Sequence, residues 1–127
     1  MALTSVWLAT LGDGLVRGDQ VVGIDVHQTP QLTGKRSHWL IDVVLPASVG
    51  NGMRGEWDMT VLHRTLVQTS QPPGDATTAL ARLLAQLDAA DAAGVVRVSA
   101  HPEEREQAGE WVEAGDSHVA FRFVPFG

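Results

Sequence analysis

The chain has 127 residues, 44% of them hydrophobic and 19% charged, a balance that supports one compact domain with a real core and excludes a disordered tail or a collagen-like polymer. It contains no cysteine, which excludes a disulfide framework, a thiolate nucleophile, Cys-ligated zinc and an iron–sulfur cluster. Nine basic and fifteen acidic residues give a net charge of −6, and with the eight arginines scattered and only Lys35 and Arg36 adjacent, no basic face is expected and nucleic acid is disfavoured as a partner.

The first residues carry no basic segment ahead of an apolar one, and no apolar run approaches the ~18 residues of a membrane span. The expectation is a cytoplasmic protein with no membrane partner. Residues Ser5–Leu11 read as a strand, Gly12-Asp13-Gly14 as a turn, and Leu15–Arg17 as a short returning partner. In Gln20–His27, period two sets Val22, Ile24 and Val26 on one face and Asp25 and His27 on the other. After a polar loop over Gln28–Ser37, His38–Leu45 groups Trp39, Ile41, Val43 and Leu45 and turns His38 and Asp42 away from them.

Pro46–Gly55 is rich in glycine and reads as a loop. Trp57–Val67 follows as a long strand with apolar residues on both sides, expected to be central in its sheet or bent. Asp75 is a candidate N-cap for a helix over about 76–93 that Gly94 would close, with Ala76, Leu80, Leu83, Leu84 and Leu87 forming its apolar stripe. Asp91 falls near that stripe, so either the helix frays before it or a carboxylate meets the edge of the core. Val95–Ala100 is the next strand, with Val96 and Val98 opposite Arg97 and Ser99. A short helix near 102–109 follows, its proline first and its glutamates at the positive end. Trp111–Ala114 and His118–Val124 flank Gly115-Asp116 as a closing hairpin, with Val119, Phe121 and Phe123 inward. The fold class expected is α+β: a single domain over 1–127, with a mostly antiparallel sheet of about six or seven strands and the long helix on one face.

No phosphate-cradling, dinucleotide-binding, zinc-protease, nucleophile-elbow or calcium-loop motif is present, and no cofactor is expected. The glycines around Gly50-Asn51-Gly52, near Arg54, read as loop geometry rather than an anion cradle, because no helix N-terminus follows them. The best constellation is on the sheet face away from the helix, where Asp25, His27, His38, Asp42, Arg97, His118 and Arg122 would emerge together. Of these, Asp25, His27, His38, Asp42, Arg97 and Arg122 are the candidate catalytic residues. Imidazoles move protons near neutral pH, a carboxylate fixes their tautomer and a guanidinium holds an anion. The competing reading is the solvated polar face that any antiparallel sheet presents. His101 and Glu104, three residues apart, with His118 as a third ligand, are the candidate metal set; an acidic first turn complementing a helix dipole explains the same residues. His63 reads as a hydrogen-bonded core or interface histidine.

The four tryptophans, in a chain without tyrosine, read mostly as core or half-buried strand positions, and one or two left exposed on the outer face or an edge strand would be anchors for a partner subunit or a ligand pocket. The leading functional expectation is a small non-catalytic binding and oligomerisation domain, a homodimer that meets a protein partner or a small ligand. The rival is a small acid–base hydrolase or isomerase using the His/Asp/Arg face.

Overall fold

The computed structural model describes residues 3–12, 14–48, 59–100, 111–113 and 118–127. Among them the chain forms eight strands and one α-helix: β1 (Val6–Ala9), β2 (Leu15–Arg17), β3 (Gly23–Gln28), β4 (Trp39–Ser48), β5 (Met59–Thr69), α1 (Ala76–Ala89), β6 (Gly94–Ser99), β7 (Val112–Glu113) and β8 (Ala120–Pro125). The class is α+β with mostly antiparallel pairing, as expected, but the strands divide between two sheets instead of joining one. The first sheet has the order β2-β1-β6-β8-β7 and the second the order β3-β4-β5. Alternation in sequence fixes which face of a strand is buried and leaves its neighbour open. Here β1 takes β6 as a parallel neighbour, Val6 opposite Gly94, and a 3-10 turn at Gly18–Gln20 leads the chain out of that sheet before β3 begins.

One core joins the layers. Val6, Leu8, Val96 and Phe121 from the first sheet, with Val119 just ahead of β8, meet Ile41, Val43, Leu66 and Val67 from the second and the helix stripe Ala76, Ala79, Leu80, Leu83, Leu84 and Leu87. The stripe is the one that 3.6-residue spacing marks out. Leu11 N–H donates to Thr65 O (2.9 Å), tying the first hairpin to β5.

The helix ends differ from expectation. Asp75 stands at the N-cap but its side chain makes no capping hydrogen bond. At the other end α1 stops at Ala89, four residues early, because Asp91 adopts the left-handed conformation (φ 51°) in the role expected of Gly94. Ala92 N–H bonds Leu87 O and Asp91 N–H bonds Asp88 O, both 3.0 Å, which satisfies the last carbonyls in a Schellman closure. Asp91 is thereby turned out to solvent. Gly94 serves another purpose as the buried first residue of β6, where a Cβ would lie 2.3 Å from Val124 O and 2.7 Å from Pro125 Cα. Its side-chain-free surface lets β6 and β8 come together.

Further along β6 the alternation breaks. Ser99 is buried rather than facing out with Arg97. In β5, expected to be central or bent, Ile41 pairs with Val67 and Asp42 with Thr65, so Leu66 is an extra residue in a bulge and both Leu66 and Val67 are buried. The strand carries this bulge and lies at the end of its sheet, not at its centre. The expected short helix near 102–109 and the loop glycines 50 and 52 fall outside the described residues.

Candidate functional site

Asp42 lies on the polar face of β4, where alternation places it, and yet it is only 2% exposed. A buried carboxylate is costly unless its oxygens are bonded. Thr65 Oγ1 donates to Oδ1 (2.7 Å), and His27 Nε2 lies 2.8 Å from Oδ2. His63 Nδ1 stands 3.5 Å from the same Oδ2. Three adjacent strands supply the cluster, because register sets Thr65 of β5 opposite Asp42 of β4 and brings His27 of β3 diagonally beside it. The two rings meet edge to face, centroids 6.5 Å apart. Their side chains stay accessible, 46% for His27 and 42% for His63. An ionised Asp42 selects the Nε2–H tautomer of neutral His27 and leaves Nδ1 as its basic nitrogen. The result is a buried carboxylate bonded to one half-exposed imidazole, with a second 3.5 Å away.

The expected constellation assembles only in part. Asp25, exposed on β3, is directly opposite Asp42 but forms no ion pair among the described residues. Arg97 and Arg122 face each other across β6 and β8 in the other sheet, and no hydrogen bond or ion pair joins them to Asp25, His27 or Asp42. The reason is the division into two sheets. Of the two positions expected for His63, core or interface, the core is corrected: its side chain is half-exposed beside the cluster, because the β4–β5 ribbon runs past the core at that end, where Leu62 is also exposed. Thr65 was not singled out in the sequence, where a threonine in a strand carries no signal of its own.

His38 and His118 come together elsewhere. His38 precedes β4, held by its N–H to Thr29 Oγ1 (2.8 Å) and by Thr29 N–H to its carbonyl (2.7 Å). Both histidines line a cleft of about 460 Å³ at the end of β5, together with Gln68, Thr69, Ser70 and Gln71 and an apolar side that includes Leu11 and Val119. Pro72 and Pro73 fix its wall, and Thr69 Oγ1 braces it by donating to Gln71 O (2.6 Å). No aspartate or glutamate is among the described lining residues.

The candidate metal residues His101 and Glu104 lie outside the described residues, and no group of three metal-ligating side chains occurs among the described ones. Nor is any described helix long and apolar enough to cross a membrane. Trp7, Trp39 and Trp111 are half-buried; Trp57 lies outside the described residues. No family model, no curated protein and no solved structure matches this chain.

Proposed function

We propose that the chain is a small, non-catalytic binding domain of the cytoplasm that works as a homodimer and takes a small polar ligand in the cleft between His38 and His118. The observation that supports this reading is the cleft itself. Its volume of about 460 Å³ lies in the range of small-molecule sites, and His38, His118, Gln68, Ser70 and Gln71 line it beside an apolar wall. Histidine, glutamine and serine side chains donate hydrogen bonds, Thr69 being committed to Gln71 O, and no carboxylate is among the described lining residues. That set suits an acceptor-rich ligand such as a small carboxylate or phosphate. The scattered basic residues and the net charge of −6 speak against a nucleic-acid ligand.

Thermal unfolding against mono- and dicarboxylates, inorganic phosphate and a broad metabolite set tests the reading. A ligand at 100 times its Kd adds about 2.7 kcal/mol, or about 10 °C for a domain of this size. The expected result is such a rise in the wild type and its loss in His38→Ala and His118→Ala, with the ligand-free melting point kept. A flat screen refutes it.

The enzyme reading has one observation in its favour, the 2.8 Å contact of Asp42 with His27, the pairing by which a carboxylate orients a general base. Against it, none of His27, Asp42 and His63 lines the cleft. Turnover of model esters that disappears in His27→Ala, with the fold intact, is the result that would favour it.

A further inference from the structure

The strand β3 ends its sheet, and no described strand pairs with its outer edge. Thr29 N–H bonds His38 O (2.7 Å), in step with the β3–β4 register, so the alternation of an antiparallel ladder turns the N–H and C=O groups of Ile24, Val26 and Gln28 outward. At the strand's start Val22 donates back to Val44 O (2.9 Å), which ends the free edge at Gly23. An edge that no described strand covers is a template for another strand. Beside it, Val21, Ile24, Ala81 and Leu84 line a shallow apolar groove between the edge and α1, and Val22 is 65% exposed.

The charges along the edge identify the occupant. Asp25 is opposite Asp42, a like-charge pair, and makes no ion pair of its own among the described residues. Among the described residues Asp25 has no partner on its other side, and β3 itself carries an imidazole two residues further on, at His27, which when protonated donates from both ring nitrogens, to its own Asp42 and to a carboxylate across the edge. We infer that β3 pairs antiparallel with β3 of a second copy about a twofold axis at Val26, joining two three-stranded sheets into one of six. This rests on the homodimer reading above and specifies its interface. In that register Val26 faces Val26, Ile24 faces Gln28, and Asp25 of each copy faces His27 of the other. His27 then lies between Asp42 of its own chain and Asp25 of the second copy, so each copy completes the other's cluster. The neighbouring register, centred on Asp25, would line up four carboxylates across the seam and is excluded by charge.

Light scattering of the wild type at tens of micromolar should give twice the chain mass, with slowed exchange of the Ile24, Val26 and Gln28 amides relative to dilute protein. Because the chain has no cysteine, single substitutions report the register directly. Val26→Cys places two thiols in a hydrogen-bonded pair with Cα atoms about 5.5 Å apart and should form a disulfide dimer under mild oxidation. Asp25→Cys places them on a diagonal at about 7–8 Å and should not. Asp25→Lys, at an exposed position, should keep the fold and weaken the dimer about tenfold. A monomeric wild type overturns the inference, as does an unchanged dimer in Asp25→Lys. Cross-linking through Asp25→Cys in preference to Val26→Cys overturns the register. A dimer whose β3 amides stay unprotected and that links neither variant overturns this pairing and leaves the homodimer reading standing, while ligand-induced stabilisation in Asp25→Lys reports the cleft separately.

Discussion

Two glycines open strands in this fold, and replacing each with alanine separates close approach from chain flexibility. At Gly94 a new Cβ would stand 2.3 Å from Val124 O and 2.7 Å from both Phe123 Cζ and Pro125 Cα, whereas ordinary contact begins near 3.4 Å. The phenylalanine ring can turn aside; the two backbone atoms cannot, so β6 must draw back from β8 by about 1.1 Å at its first rung. Overpacking of this kind costs about 1–3 kcal/mol, and a lost ladder hydrogen bond adds about 1, for a total near 3 kcal/mol. With an unfolding entropy of about 2.1 cal/mol/K per residue, the chain loses about 0.27 kcal/mol per degree at its midpoint, and Gly94→Ala should melt about 11 °C lower. Gly23, which opens β3, is the control: its new Cβ would meet Val44 Cβ at 3.5 Å, an ordinary contact. Gly23→Ala should leave Tm unchanged or raise it by a few degrees, because the unfolded chain loses freedom. Calorimetry of the two variants beside the wild type decides the matter. A fall of less than about 3 °C for Gly94→Ala, or equal falls for both, refutes the argument that strand approach at Gly94 is set by the missing side chain.

Asp91→Gly removes the cost of a left-handed side-chain-bearing residue at φ 51° and should raise Tm by about 3 °C, from about 0.8 kcal/mol; a lower Tm would show that the aspartate contributes something the backbone does not explain. Asp42→Ala deletes an acceptor bonded by Thr65 and His27, contacts that gain about 1.5–3 kcal/mol each at a charged group. Since His27 is 46% exposed and regains water, the net loss should be about 2 kcal/mol, seen as a fall of about 7 °C; an unchanged Tm would mean that burying the carboxylate cancels its bonds. Thr65→Val, which keeps the shape and removes only the donor, should cost about 1 kcal/mol and leave the His27–Asp42 contact visible in imidazole ¹⁵N spectra.

The helix was legible because leucines at 80, 83, 84 and 87 can share a face in only one periodic structure, and they are all buried. Ile41 and Val43 were legible for the same reason at period two. Strand partners were not, since parity is indifferent to neighbours: nothing in Val6–Ala9 names β6, and the sheet that would have united Arg97 and Arg122 with Asp42 therefore does not form. The Asp42–His27 pair was within reach because both residues fall on the polar side of adjacent strands. His63 and Thr65 were not, because a bulge at Leu66 and a ribbon running beyond the core decouple apolar pattern from burial. The helix stop at Asp91 eluded the pattern because glycine is the commoner left-handed closure and one stood three residues on.

The parallel pairing of β1 with β6 also sets an order of events as the chain folds. Val6 meets Gly94, with the whole of the second sheet and the helix between them in sequence. Before β6 is available the β1–β2 hairpin has its Leu11–Thr65 bond to β5 but no strand beside β1, and the closure of so long a loop must precede any gain from the β1–β6 contact. The β3–β4–β5 ribbon and α1 need no such wait, since their pairings are local. Folding should therefore run from the middle outward, with the first strand docking late, and a probe on Trp7 should report a slower phase than one on Trp39.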